Sequence, residues 1–383
     1  MKTIHLFVLA LMQVSILPAA AQILQDSDSI PQNETRSIDR LFVLADQVVD
    51  VLSTDTWTFI PAVTYSPETS LGIGGRALRI FRTGEGLPAD TRPSSLPLTF
   101  LYTLKHQLIL TGELELWMKE NRSFLHSRVI VSDYPFQFSG IGNEIMPAEN
   151  YATRYLYFHL YYEKRIGRGI YLGPRYEFRI DDIYGKSPGG LLEAGNIPGS
   201  EGPRLSGLGL ALNVDRRDNI FQPGSGVYHQ LTWMKFHSFF GSNFDFNQWV
   251  LDLRKYWSLG SGHIFVGQAR FSFTQGNAPF QHLSMWGGSD LMRGYFEGRY
   301  RDKHAMVYQA EWRFPVYRNL GMVAFGSAGQ VGDELAAFGV NSNLRFAGGL
   351  GFRYRLNEEG LNLRIDFAFG DQPAFYFGLN EVI

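Results

Sequence analysis

The chain has 383 residues, 45% hydrophobic and 19% charged, with a formal net charge of −2 and no lysine–arginine run, so nothing points to nucleic acid as a partner. It contains no cysteine, which excludes disulfides, thiolate metal sites, a cysteine nucleophile and a lipid-modified cysteine anchor. Its 30 Phe, 19 Tyr and 41 Gly suit a protein built of many strands, close backbone contacts and interfacial rings.

Residues 1–21 read as an export signal. Lys2 supplies the positive end, Leu6 to Leu17 the apolar run, and Ala19-Ala20-Ala21 the small-residue cleavage site. The apolar run is roughly 12 residues, short of the about 20 that a spanning helix needs. Residues 22–55 form a periplasmic lead-in, polar to about Arg36 and then helical in spacing. Ile38, Leu41, Phe42, Ala45, Val48, Val49 and Leu52 recur at three and four, with Ser37 placed as N-cap. Such a short amphipathic helix suits the barrel mouth, the membrane surface, the lumen or a partner, and its valines also leave a strand open.

From Thr56 the period becomes two. Predicted strands are Thr56–Tyr65, Ser70–Phe81, Pro97–Lys105, Gln107–Met118, Ser123–Ser132, Ala152–Lys164, Ile170–Ile180 and Arg204–Asp215. They continue as Gly226–His237, Phe244–Ser258, His263–Thr274, Ala305–Val316, Gly321–Gly329, Asn343–Leu356, Leu361–Gly370 and Ala374–Ile383. In Leu361–Phe369 the apolar and polar positions alternate almost without exception, and in Tyr308–Phe314 the residues Gln309, Glu311 and Arg313 oppose Tyr308, Ala310, Trp312 and Phe314. Glu113, Arg175, Asp252, Arg254, Arg364 and Asp366 all fall on the polar face. Apolar-out, charged-in strands of about 9–13 residues predict a transmembrane antiparallel β-barrel of about 16 strands over residues 56–383. A secreted β-sandwich would not carry charge on the inner face of nearly every strand. The longest loops (132–151, 181–203 and 275–304) follow odd strands, whereas Gly84–Pro97 is a long connection on the side where short turns belong.

With the barrel in place, loop motifs become informative. Leu291-Met292-Arg293-Gly294-Tyr295 resembles the Arg-Gly-Phe/Tyr tip of the long sixth extracellular loop of Omp85-superfamily barrels. Ala310–Val316 resembles the strand after that loop, and Phe325–Asp333 the next strand's Phe-x-Asp-x-Gly motif. Asp215–Asn219 with Pro223-Gly224 resembles the mid-barrel turn. Pro67-Glu68-Thr69 and Gly140–Asn143 fit a smaller, Bacteroidetes-like branch. The superfamily includes outer-membrane insertases, two-partner secretion transporters and surface antigens. The resemblance implies a sixteen-stranded barrel whose long extracellular loop 6 folds into the lumen, where its arginine meets acidic groups on the next strands. It therefore makes Arg293, Gly294, Tyr295, Glu311, Arg313, Ser327, Gly329 and Asp333 the expected loop-6 lock, with Glu311 the first partner of Arg293. Ser327 stands where the family motif has its acid, so a second partner must be sought at Asp333 or elsewhere. Residues 22–55 are too short for a POTRA domain of the family's usual kind, and Ile383 stands where such barrels commonly end in Phe.

The resemblance implies protein assembly or translocation at the bacterial outer membrane. The alternatives are a stand-alone pore for ions, lipids or small solutes, or a surface antigen. Expected partners are outer-membrane lipid and lipopolysaccharide, together with periplasmic or outer-membrane proteins, around a monomeric barrel. No enzyme, cofactor or metal is expected. The nine His show no H-E-x-x-H and no His/carboxylate pair along one strand, and Glu113 and Glu115 read as solvated wall groups. Gly326–Gly329 and Gly224–Gly226 are not nucleophile elbows, and His159 or His229 gives only a weak case for a barrel lipase.

Overall fold

A computed structural model describes Thr54 and residues 56–84, 91–118, 120–144, 146–339, 343–356, 362–379 and 381–383. The expected export signal and the Ile38–Leu52 helix lie outside the described residues. The wall begins with β1 (Thr58–Ser66), β2 (Ser70–Phe81), β3 (Ser94–Thr103), β4 (Leu108–Met118), β5 (Ser123–Phe138) and β6 (Glu149–Gly167). It continues with β7 (Ile170–Tyr184), β8 (Arg204–Asp215), β9 (Gly226–Phe236), β10 (Phe246–Gly260) and β11 (His263–Gly276). A small hairpin, β12 (Ser284–Trp286) with β13 (Tyr300–Asp302), lies within the long loop. The wall resumes with β14 (His304–Tyr317), β15 (Leu320–Gly332), β16 (Arg345–Arg355), β17 (Asn362–Phe369) and β18 (Pro373–Leu379). Sixteen strands, all but β12 and β13, close into one antiparallel barrel.

Side-chain parity is what makes this wall a membrane surface. On β14, Tyr308 and Trp312 are exposed while Gln309, Glu311 and Arg313 are buried inside. Leu98 and Phe100, Val129 and Val131, Leu208 and Leu210, and Trp249 and Trp257 are exposed in the same alternating way. Such a run of bare apolar side chains around a closed wall is favourable only against lipid.

Most boundaries shift by a few residues from the sequence reading, and four of the shifts have a structural consequence. β3 starts at Ser94, so Pro97 sits inside a strand, and the β3–β4 ladder passes from Ser95 to Leu98 without pairing Leu96 or Pro97, which has no N–H to give. β5 runs on through Pro135 to Phe138 and pairs with β6 back to Glu149, so the next loop shortens to 139–148. β7 similarly extends to Tyr184. Last, β18 stops at Leu379 instead of running to Ile383. Glu381 turns inward to Arg353 Nε at 2.8 Å and Asn362 Nδ2 at 2.7 Å, and Val382 and Ile383 pack on Tyr228, Tyr256, Ile264 and Val266. A paired carboxylate and two apolar side chains thus gain more inside than along the wall.

The closure is uneven. β17 pairs with β18 along its length, from Leu363 opposite Leu379 to Phe369 opposite Pro373. Among the described residues β1 meets β18 at a single ladder position, Tyr65 opposite Phe377, supported by Thr64 Oγ1 donating to the Phe377 carbonyl at 3.1 Å and by the Tyr65–Phe375 ring pair. Among the described residues, Phe59–Thr64 have ladder partners on β2 alone.

The loops after odd strands gather at one end, and the turns after even strands at the other; barrel convention makes the first end extracellular. There, Leu192 from the β7–β8 loop and Ala278, Phe280 and Leu283 from the long loop form a buried apolar core with Phe138, Tyr151, Leu205, Met234, Phe236 and Phe246.

Candidate functional site: the loop anchored in the lumen

The loop between β11 and β14 descends into the barrel because its tip can satisfy its polar groups there. Gln309 accepts from the Met292 N–H at 3.0 Å through Oε1 and donates to the Asp290 carbonyl through Nε2. Gly294 has φ +105° and gives its N–H to the Tyr376 hydroxyl on β18 at 3.0 Å. A Cβ there would lie 2.7 Å from the Gly370 nitrogen, so this close approach requires glycine. Tyr295 donates to the Phe346 carbonyl at 3.0 Å and packs edge-on against Trp286 and Tyr300 of the β12–β13 hairpin.

Arg293, 2% exposed, is the centre of this arrangement. Its Nη2 donates to Glu311 Oε1 on β14 at 2.5 Å, and its Nη1 to Asp366 Oδ2 on β17 at 2.6 Å. The Phe325 ring of β15 lies 3.5 Å beneath the guanidinium. Glu311 also accepts from Arg313 at 2.8 Å, Asp366 from Arg353 at 2.6 Å, and Glu381 lies 2.8 Å from Arg353 and 3.6 Å from Arg313. Three arginines therefore face three carboxylates in a buried, charge-balanced lattice, with Arg364 3.8 Å from Asp366 at its edge. Planar guanidiniums suit this because each fork serves two carboxylates at once.

The sequence-derived set divides. Arg293, Gly294, Tyr295, Glu311 and Arg313 converge. Gly329 makes room for the Met292 side chain, whose sulfur a Cβ would meet at 3.1 Å. Ser327 lies opposite Gln309 in the β14–β15 ladder, away from the ion pairs. Asp333 is exposed beyond the extracellular end of β15 and makes no ion pair with Arg293. The second acid is Asp366, recognised in sequence only as one of several lumen-facing charges. Phe325 was marked in sequence only as the Phe of the Phe-x-Asp-x-Gly resemblance, and Arg353, Glu381, Gln309 and Tyr376 carried no signal beyond inward parity.

The same loop spans the seam at its extracellular end. On the β18 side, Gly294 holds Tyr376, the Gly294 carbonyl accepts from the Gln372 N–H at 3.2 Å, and Arg299 meets Asp371 at 2.5 Å. On the β1 side, the Glu297 N–H donates to Glu68 Oε1 at 2.9 Å, and Lys105 lies over the Phe296 ring. The loop is thus fastened to both lips of the closure that the wall itself barely pairs. Although solvent reaches the Glu297 carboxyl, the surrounding barrel mouth strips much of its water, and the Glu68 and Asp290 carboxylates add to this. Together they push it up to about 7.

Fold and site together define an outer-membrane barrel with a lumen-anchored sixth loop. The model of the Omp85 superfamily domain matches residues 159–382, more than half of the chain, and the chain belongs to that superfamily. Similar solved structures include BamA from Haemophilus ducreyi lacking POTRA domains 1–3, at 12% identity and TM-score 0.56, covering 94% of this chain and 81% of that one. CdiB from Acinetobacter baumannii, at 12% identity and TM-score 0.57, covers 85% of this chain, and CdiB from Escherichia coli, at 11% and 0.55, covers 86%. This chain spans 59% and 63% of those two CdiB chains. No functionally curated protein sequence matches it.

Proposed function

We propose that this protein assembles or translocates other proteins at the outer membrane by opening the β1–β18 seam, with the Arg293 loop as the catch that holds the seam shut. The observation that carries this reading is the single ladder position between β1 and β18, among the described residues, beneath a loop fastened to both of its lips. An edge strand with free backbone groups is a template for strand addition. Phe59–Thr64 offer that edge, and Pro61 within it limits uncontrolled pairing. Membership of the Omp85 superfamily supports the class of task and a non-enzymatic role, with lipid, lipopolysaccharide and periplasmic or outer-membrane proteins as partners of a monomeric barrel.

Depletion of the protein followed by an outer-membrane proteome and lipid profile tests the reading. Loss of a defined set of barrel or surface proteins is expected. An unchanged protein profile would reject assembly, and a change confined to lipid or solute uptake would favour the pore reading instead.

A further inference from the structure

On the lumen wall below the loop lies a second cluster that the lock does not use. Glu113 and Glu115 project inward from β4, His126 and Arg128 from β5, and Tyr157 and His159 from β6. In the ladder, His126 stands opposite Glu115 and Arg128 opposite Glu113, yet the His126 ring leans to Glu113, with Nε2 2.7 Å from Oε1. Its other nitrogen, Nδ1, is 2.9 Å from His159 Nε2, and His159 Nδ1 is 3.0 Å from the Tyr157 hydroxyl. Arg128 holds both Glu113 oxygens at 2.8 and 3.0 Å. Glu115 accepts no hydrogen bond and joins no ion pair among the described residues. One donor atom from each of Glu113, Glu115 and His126 falls within a sphere of mutual distances no greater than 4.8 Å.

We propose that Glu113, Glu115 and His126 bind a first-row divalent transition-metal ion, of which zinc is the natural probe. Two carboxylate oxygens and one imidazole nitrogen form a borderline donor set, which suits zinc, manganese or ferrous iron better than magnesium or calcium. Donors about 2.1 Å from one ion lie about 3–4 Å apart, so the set closes with side-chain shifts of about an ångström. The unpartnered Glu115 is free to make them. Glu113 keeps one oxygen on Arg128 and turns the other to the ion.

The histidine chain supplies the outer support that ligating imidazoles require. Without metal, the hydrogen bonds run from the Tyr157 hydroxyl to His159 Nδ1, from His159 Nε2–H to His126 Nδ1, and from His126 Nε2–H to Glu113. With metal on His126 Nε2, the direction reverses: His126 Nδ1–H donates to His159 Nε2, and His159 Nδ1–H donates to Tyr157. The His126 Nε2 proton leaves to solvent as the ion binds and one proton is taken up at the Tyr157 end of the chain, so both rings and the phenol stay neutral and the net proton count is unchanged. The ion joins β4 to β5 across their ladder.

Chelator-stripped, full-length protein in detergent is titrated with zinc by calorimetry, with magnesium as control. One saturable zinc per chain is expected, with X-ray absorption reporting one imidazole and carboxylate oxygens. The shape-conserving Glu115→Gln and His126→Gln should each weaken binding at least about tenfold, and His159→Phe about tenfold through loss of ring orientation. Retention of the folded, heat-modifiable form on gels separates these losses from misfolding. No saturable zinc, or zinc unaffected by Glu115→Gln and His126→Gln, overturns the site. Loss with His126→Gln alone overturns the three-ligand set.

Discussion

Truncating Arg293 to alanine would leave Glu311 and Asp366 buried with Arg313, Arg353 and the more distant Arg364 to answer them. Breaking a buried pair from one side costs about 3–5 kcal/mol. Arg293→Ala is therefore expected to lower the unfolding temperature on heat-modifiability gels and the assembled level in membranes; unchanged values in both would sink the lock. Two glycines sharpen the point. Gly294→Ala forces a Cβ against the Gly370 backbone at positive φ, whereas Gly329→Ala meets only the movable end of Met292. Gly294→Ala should thus destabilise the barrel more than Gly329→Ala in the same assay, and the reverse order would count against the described loop path. Glu297 adds a pH dependence. Its carboxyl is raised from 4.5 to about 7, so the docked loop favours the protonated form. Docking should strengthen as pH falls from about 7 towards 4.5, with no further gain below. Amide exchange of the loop across that range, with Glu297→Gln abolishing the trend, measures this.

At the scale of elements, the seam is where the wall has the sparsest ladder pairing among the described residues and where the loop is fastened on both sides. The chain has no cysteine, so an engineered pair is clean. Tyr65→Cys with Phe377→Cys joins directly opposed positions, whose spacing in an antiparallel ladder lies within disulfide reach. Under oxidising conditions the crosslinked barrel is expected to fold but to fail in complementing a depleted strain, with activity restored by reductant. A control pair at Ala310 and Gly326, in the continuous β14–β15 ladder, should leave complementation intact. Full activity of the Tyr65–Phe377 crosslink would exclude seam opening. The inward turn after Leu379 belongs to the same argument. It withdraws β18 from β1, and Glu381 is held there by two arginines of the lock lattice.

For the whole molecule, the apolar core around Phe280 and the cluster at the β12–β13 hairpin lie at the extracellular end of the lumen. Planar-bilayer recordings should therefore show low conductance for the native barrel, rising when Arg293→Ala is combined with Asp366→Asn. A steady, large native conductance would favour the pore reading. Much of this architecture was legible beforehand. Strict alternation in residues 361–369 and 308–314 gave strand, span and facing, because a period of two is a local property. The sequence reading ends β5 at Ser132, whereas the strand runs on through Pro135 to Phe138, because a missing N–H can be tolerated in a strand.

What the amino-acid order determined alone is the wall: sixteen strands, which residue of each looks at lipid and which at the lumen, and a glycine-bearing loop with an arginine to satisfy. Only the tertiary structure decided the partners. Asp366 lies 73 residues from Arg293, and His126 meets Glu113 across a ladder rather than along a strand. The single β1–β18 pair depends on how the ends of the wall close. Parity fixes the side a residue faces, but strand register and barrel closure fix its neighbours, and those are set by pairings between distant segments.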